Sequence, residues 1–255
     1  MRKAFGLFLC LMVGLSFASQ QVFAKNLTDV MANMEKGITT LKDVQGVQTL
    51  KFMVENELVT ANNTFKAKSP DKFWSETRIP VAGSRKVQKV LTVCDGKNVW
   101  QYIPGPEDKK VIKMNLSAAA GQLDAYQKKF MASGYGIVGS EGLLKLANAD
   151  YDLKVAGAAK IKGMDMDVLE GTLKGTAKPG SWTLPTPARI KYSVGAKDGF
   201  IYKMEGFNKA GKLVLEISHE NLKFNAGIPD KVFAFTPPKG VEVFEATEVA
   251  PHVVK

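Results

Sequence analysis

The residue types that most often carry catalysis are sparse in this chain. Two histidines, His219 and His252, occur among its 255 residues. His219 lies in an alternating, strand-like run next to Glu220, and neighbours on a strand point to opposite faces, so this pair does not form an acid–base dyad by local geometry. A serine–histidine–aspartate site brings together three separate groups, and no pattern in the chain marks one. We therefore do not expect an enzyme.

Two further patterns suggest a cation site and a dinucleotide site. Asp165 and Asp167 share a face of a strand-like run, although alternating carboxylates are more typical of a solvated strand face. The segment Gly134–Gly139 matches G-x-G-x-x-G, but that fingerprint requires a preceding strand, and here a helical pattern precedes it. We expect no metal and no cofactor, and we interpret Gly134, Gly136 and Gly139 as a hinge.

The first 24 residues have the pattern of a signal peptide. Arg2 and Lys3 form a charged start, and an apolar stretch too short to span a bilayer follows over residues 4–18. Small residues at Val22 and Ala24 fit the positions before a cleavage site. We expect cleavage before Lys25 and an exported mature chain, residues 25–255, that forms a single domain.

Cysteine content and charge limit the partners of the mature chain. Removal of residues 1–24 removes Cys10 and leaves Cys94, so an internal disulfide and a cysteine metal cluster are both excluded. The formal net charge of +10 for the full chain could suit nucleic acid, anionic lipid or an acidic protein. Lysines spread along alternating strands are typical of a solvated face, and export argues against nucleic acid.

Periodicity indicates one amphipathic helix followed by many strands. Apolar residues recur at helical spacing over 26–44, with Asn26 as the expected N-cap. Afterwards the period changes to two, and about ten strands with regular turn signals indicate an antiparallel sandwich or barrel. Residues 117–148 interrupt the alternation with two helical patterns, which we interpret as a helical insertion.

The segment Val90–Leu116 predicts a three-stranded meander with a broad aromatic face. Asp95-Gly96 between alternating apolar runs is a strong hairpin signal, and a two-residue turn there would place Leu91 opposite Trp100. Such a face requires either a core to cover it or a ligand to fill it. The apolar residues predicted to line a ligand cavity lie on this and the neighbouring runs: Leu50, Phe52, Phe65, Phe73, Trp100, Tyr102, Ile112 and Met114.

Three segments, in this order, resemble motifs of the LolA-like family of periplasmic lipoprotein carriers. Ser69–Glu76 is similar to the family's P-x-K-F-x-W-E strand, and Val93–Tyr102 is similar to its S-D-G-K-x-L-W-x-Y hairpin. Phe233–Val243 is similar to its closing F-x-F-x-P-P-x-G-V-x-V segment. In the family an arginine that latches the lid follows the Lys-Phe pair of the first motif. Trp74 occupies that position here, and Arg78 lies four residues further on.

The resemblance implies a mainly β fold with some α structure. This fold is an incomplete, strongly curved antiparallel β-barrel with helices as a lid, here the insertion near residues 117–148. It implies a periplasmic, monomeric chaperone that shields the acyl chains of a lipoprotein or lipid in transit toward the outer membrane. The partners implied are the acylated cargo, an inner-membrane transporter and an outer-membrane acceptor, with only transient membrane contact. The alternative is an envelope sensor that uses the same cavity to detect mislocalised lipoprotein or lipid.

Overall fold

The computed structural model describes residues 25–54, 57–81, 86–105, 109–119, 150–175 and 186–246. The expected signal peptide and nearly all of the expected lid, including Gly134, Gly136 and Gly139, lie outside the described residues. In chain order the elements are α1 (Leu27–Thr40), β1 (Asp43–Val54), β2 (Glu57–Lys68), β3 (Lys72–Pro80), β4 (Val87–Asp95), β5 (Asn98–Ile103), β6 (Lys110–Asn115), α2 (Leu116–Ala119), β7 (Tyr151–Ile161), β8 (Met164–Leu173), β9 (Arg189–Gly195), β10 (Ile201–Phe207), β11 (Leu213–Phe224), a short 3₁₀ helix (Asp230–Phe233) and β12 (Val243–Ala246).

Helix α1 begins where its cap predicts and ends earlier than its apolar spacing predicts. The Asn26 side-chain Oδ1 accepts the Asp29 backbone N–H at 2.9 Å, which satisfies one of the free donors of the first turn. Val30 and Met34, one helical turn apart, are fully buried. The helix does not reach Val44, because β1 begins at Asp43 and both residues belong to the sheet.

The described strands form one twelve-stranded sheet in the order β12-β6-β5-β4-β3-β2-β1-β11-β10-β9-β8-β7. All neighbouring strands are antiparallel except β12, which pairs with β6 in parallel. The sheet is curved and does not close, so β12 and β7 are its two edges. The incomplete antiparallel barrel predicted from the sequence is therefore confirmed. The short strand β12 is the element that the alternation did not predict.

Helix α1 packs against one face of this sheet, which we call the inner face. Val30 and Met34 contact a buried cluster on β7 to β10 that includes Leu169 and Tyr192. The same face continues across the sheet, because Met204, packed against this cluster, pairs with Ile217, and Ile217 pairs with Leu50 on β1. One half of the inner face is thus covered by a helix.

A second buried cluster occupies the inner face of β1 to β6. Its members form a row across four strands, since Phe73 pairs with Cys94, Cys94 with Val99, and Val99 with Met114. Phe65 is fully buried in the same cluster. Burial of large apolar side chains of this kind stabilises the folded state by about 1.5–3 kcal/mol each.

Candidate functional site

Six of the eight residues predicted to line a cavity share the inner face. Phe65, Phe73 and Met114 belong to its second buried cluster. Strand register places Leu50, Phe52 and Ile112 on this face as well. Leu50 pairs with Ile217 on β11, Phe52 lies two residues along β1 from Leu50, and Ile112 lies two residues along β6 from Met114. The six residues are Leu50, Phe52, Phe65, Phe73, Ile112 and Met114.

Trp100 and Tyr102 lie on the opposite, outer face, so the predicted single face is wrong at these two positions. Trp100 pairs with Lys113 and Tyr102 with Val111, which sets Ile112 and Met114 on the other side of the sheet. The loop between β5 and β6 has no two-residue turn to set the register, and a one-residue shift moves every side chain of a strand to the other face. Alternation alone therefore left the pairing of β6 undetermined.

The outer aromatic patch is covered by the chain itself. The ring of Phe235 lies 5.6 Å from the ring of Trp100 and 6.3 Å from that of Tyr102, measured between centroids. Phe233, in the 3₁₀ helix, is 1% exposed, and that helix packs against β3 and β4. The Lys113 ammonium lies 5.3 Å from the centroid of the Trp100 ring. The aromatic face is thus partly covered by the chain's own C-terminal residues.

Charged groups hold this C-terminal segment, residues 226–246, against the sheet. The buried Asp43 carboxylate accepts the backbone N–H groups of residues 226, 227 and 228 at 2.7, 3.0 and 3.3 Å. Lys68 and Lys72 donate to the Asp230 carboxylate at 2.6 and 2.9 Å. These hydrogen bonds lower the pKa of Asp230 to about 2. The closing motif therefore acts as a strap across the outer face.

The β4–β5 hairpin turns one residue later than the Asp95-Gly96 signal predicts. The Asp95 carboxylate accepts the backbone N–H groups of Lys97 and Asn98 at 2.8 and 2.7 Å, so Asp95 closes β4 and Gly96 begins the turn. Gly96 has φ of +92°, which glycine adopts without strain. Leu91 consequently faces Tyr102, not Trp100. The pairing moves by two residues, so each side chain keeps its predicted face.

A chain of hydrogen bonds crosses the inner face from β11 to β3. His219 Nδ1 lies 2.9 Å from the Ile201 carbonyl oxygen, and its Nε2 lies 3.1 Å from the Gln48 side-chain nitrogen. Asn63 donates to Gln48 Oε1 at 3.3 Å, and Thr77 donates to Asn63 Oδ1 at 3.3 Å. A neutral imidazole protonated at Nδ1 matches every donor in this chain with an acceptor.

Burial keeps His219 neutral. Its ring lies edge-on to Phe65 and Phe200, with centroids 5.9 and 5.4 Å away. Desolvation in this apolar setting lowers the pKa of His219 to about 4, and the hydrogen bond to Ile201 opposes that shift only in part. His219 and Glu220 point to opposite faces, as alternation predicts, and His219 serves the packing of the sheet.

A second polar group lies further along the inner face, and sequence reasoning missed it. Ser75 pairs with Thr92, and Thr92 pairs with Gln101, so their side chains stand side by side on β3, β4 and β5. Ser75 and Thr92 are buried. Gln101 Oε1 is buried as well and accepts no hydrogen bond from any residue that the structure describes. We call these three residues the polar trio.

Phe244 is a further inner-face residue that the cavity prediction did not include. It pairs with Ile112 in the parallel register of β12 and β6. Its side chain is 47% exposed, which is unusual for a phenylalanine in a folded sheet. The segment that resembles the family's closing motif ends at Val243, one residue before Phe244. The sequence signal for Phe244 was therefore its position directly after Val243.

A small cleft lies beside α1, away from the six lining residues. Its volume is about 190 Å³, and it is lined in part by Lys36, Leu41, Lys197 and Phe200. A Cβ at Gly199 would overlap the Asn33 carbonyl, so the turn before β10 packs tightly against the helix. The cleft opens between helix and turn, and the residues described as lining it include none of the eight predicted cavity residues.

The other candidate chemical groups are paired or buried. Asp165 bonds Lys160 at 2.7 Å, and Asp167 bonds Lys25 at 2.8 Å. Within the described ranges no group of three or more histidine, cysteine or acidic side chains could hold a metal ion. Burial raises the pKa of the Cys94 thiol to about 11, which agrees with a packing role. Among the helices described, none is long and apolar enough to cross a membrane.

Comparison with known proteins finds similarity of fold. No model of a protein family matches the chain. An uncharacterized protein of Methanocaldococcus jannaschii is 22% identical over 243 residues, which are 93% of this chain and 59% of that protein. The chain therefore spans less than two thirds of that relative's length.

Solved structures of similar fold include LolA-superfamily members. The MucA/MucB complex of Pseudomonas aeruginosa is 16% identical, with 82% of this chain and 60% of that chain covered and a TM-score of 0.45. A LolA-superfamily protein of Nitrosomonas europaea is 15% identical, with 83% and 99% covered and a TM-score of 0.32. The resemblance is one of fold. LolA-superfamily members are thus among the structures that this chain's fold is similar to, which agrees with the LolA-like resemblance seen in the sequence.

Proposed function

We propose that this protein is a periplasmic carrier that binds acyl chains of lipoproteins or lipids on the inner face of its curved sheet. The observation that carries the proposal is an apolar strip on that face, which runs from the row of Phe73, Cys94, Val99 and Met114 to Ile112 and Phe244 and remains open at its β12 end. Ile112 is only partly buried, and Phe244 beside it is 47% exposed. Exposed apolar side chains on a concave surface are typical of a ligand-binding wall.

The energetics of acyl transfer fit such a wall. Shielding acyl chains from water stabilises them by about 0.8 kcal/mol per methylene, so a dozen methylenes amount to about 10 kcal/mol. A carrier gains most of that free energy from a concave apolar surface, and the curvature of an open sheet supplies one. The sequence motifs that resemble the LolA-like carriers support the same assignment, because two of them contribute to this surface and the third closes the opposite face.

The proposal is tested by acyl binding to two matched aspartate variants. Ile112→Asp places a charge on the inner face, whereas Tyr102→Asp, on the neighbouring strand, places one on the outer face. We expect the delipidated protein to bind a fluorescent fatty acid, the Ile112→Asp variant to bind at least tenfold more weakly, and the folded Tyr102→Asp variant to retain affinity. Equal affinity of all three proteins, or no binding by the unmodified protein, would contradict the proposal.

Transfer between membranes separates a carrier from a sensor. A carrier should extract an acylated lipoprotein from donor vesicles and release it to acceptor vesicles. The alternative, an envelope sensor, should bind the same acyl chains without moving them and should co-purify with a membrane-anchored regulator. Mass spectrometry of organic extracts from the natively purified protein would identify the cargo in either case.

A further inference from the structure

The polar trio lies beside an apolar row on the inner face. On one side lies the row of Phe73, Cys94, Val99 and Met114, whose members are buried. Gln101 pairs with Ile112 across β5 and β6, so the trio ends directly beside a residue of the apolar strip. A polar group in such a setting requires a hydrogen-bonding partner to be stable.

Gln101 differs in this respect from the other inner-face amides. Gln48 and Asn63 have their oxygens matched with donors in the His219 chain. Gln101 Oε1 is buried and lacks a donor among the described residues. A buried carbonyl oxygen left without a donor destabilises a folded protein, so structures retain one mainly where something else supplies the donor.

We infer that Gln101 Oε1, with Ser75 and Thr92 beside it, receives a hydrogen-bond donor carried by the acyl ligand itself. The ligand class is an acyl chain bearing a hydroxyl or an amide N–H close to its apolar part. This inference rests on the proposed function, since it names the chemistry of the cargo on the same inner face. The trio selects among acyl ligands, and the apolar strip binds all of them.

The position of the polar trio across three strands supports a role in selecting among acyl ligands. Its three side chains lie on adjacent strands at paired positions, about 5 Å apart from one strand to the next. An acyl chain that crosses the strands would therefore pass one polar side chain after another while its methylenes contact Ile112 and the exposed Phe244 beside it. A plain acyl chain in that position would leave Gln101 Oε1 without a donor, and a hydroxyl or amide N–H would satisfy it.

The test compares three ligands of equal chain length: tetradecanoate, 3-hydroxytetradecanoate and N-tetradecanoylglycine. Each displaces a fluorescent fatty acid from the unmodified protein, from Gln101→Leu and from a control, Gln45→Leu, in which the glutamine lies on the outer face of β1. We expect the unmodified protein and the control to bind a donor-bearing ligand about tenfold more tightly than tetradecanoate. The Gln101→Leu variant should lose that preference and keep its affinity for tetradecanoate.

The outcomes separate this inference from the proposed function. If no ligand binds, the proposed function fails. If all three bind the unmodified protein equally, or if the preference survives in Gln101→Leu, the inference is overturned while acyl binding stands. A preference for only one of the donor-bearing ligands identifies whether the hydroxyl or the amide is the natural donor. Thr92→Val, which removes a neighbouring hydroxyl with little change of shape, should reduce the preference and provides a second variant if Gln101→Leu is unstable.

Discussion

The two faces of the β4–β6 meander are similar in sequence and different in structure. The outer face, with Trp100 and Tyr102, is covered by Phe235 of the chain's own C-terminal segment. On the inner face, Ile112 is partly buried, Phe244 is exposed, and the buried amide oxygen of Gln101 lacks a donor among the residues that the structure describes. An apolar face is shielded from water either by other parts of the protein or by a ligand. The aromatic content of a face does not reveal which of the two covers it.

The polar groups distinguish the faces more clearly than the apolar ones. On the outer face they form ion pairs with the strap, such as Lys113 with Glu245 at 2.9 Å. On the inner face they form the neutral chain that starts at His219, and they include the Gln101 oxygen, which lacks a donor among the described residues. The outer face of the meander is partly covered by the strap, and Val243 on it is 37% exposed. The inner face has a polar group that a ligand could satisfy.

The largest expected effect is the loss of stability when the outer cover is removed. Phe233→Ala creates a cavity at a fully buried position, which lowers the free energy of unfolding by about 3–5 kcal/mol. Urea unfolding measures this loss. Acyl affinity per folded molecule should not change, because Phe233 lies on the outer side of the sheet, next to the Phe235 that contacts Trp100. A Phe233→Ala variant that keeps normal stability but no longer binds acyl chains would contradict the separate roles of the two faces.

Acid should destabilise the inner face through His219. The folded protein keeps this imidazole neutral down to about pH 4, whereas the unfolded chain binds a proton near the ordinary pKa of 6.5. The unfolded state therefore binds more protons between these values, so stability falls as pH decreases from 6.5 to 4, by about 3 kcal/mol from this group. Urea unfolding across that pH range measures the loss.

His219→Gln provides the matched variant for the acid effect. Glutamine cannot take up the proton, so this variant should be less stable at neutral pH and should lose less stability between pH 6.5 and 4 than the unmodified protein. The outer-face variant Phe233→Ala should retain the full acid effect. An unchanged pH dependence in His219→Gln would show that other groups cause it.

A smaller effect is expected from the aromatic contact on the outer face. Trp100→Leu removes the ring contact with Phe235 and the position of the Lys113 ammonium over the indole. Aromatic pairs and exposed cation–π contacts contribute about 0.5–1.5 and 0.5–1 kcal/mol, so we expect a loss of about 1–2 kcal/mol by thermal or urea unfolding. Acyl binding should persist. Loss of acyl binding in a stable Trp100→Leu variant would show that Trp100 contributes to the binding surface.

Much of the fold could be predicted because it depends on local patterns. The alternation of apolar and polar residues indicated nearly all of the strands, and Asn26 marked the start of α1. The face of β6 could not be predicted, because the connection from Ile103 to Lys110 does not set a register. The cover of Trp100 by Phe235 could not be predicted either, since the two residues are far apart in sequence and meet only when the strap folds back.

The candidate site was predicted in part for the same reason. The shared face of six predicted apolar residues follows from alternation, whereas the position of Phe244 depends on a parallel pairing between β12 and β6 that is distant in sequence. The polar trio depends on the register of three strands, and the unpaired state of Gln101 Oε1 depends on every neighbouring donor. Whether one side-chain atom has a hydrogen-bonding partner depends on the three-dimensional structure and cannot be predicted from the sequence pattern.

The central claim is that acyl chains bind the inner face of the meander and not its aromatic outer face. Nuclear Overhauser contacts between an isotope-labelled fatty acid and the protein test it, with Ile112 and Phe244 reporting on the inner face and Trp100 on the outer face. We expect contacts from the acyl chain to the Ile112 methyl groups and the Phe244 ring, and none to the Trp100 indole. Contacts to Trp100 without contacts to Ile112 and Phe244 would contradict the claim.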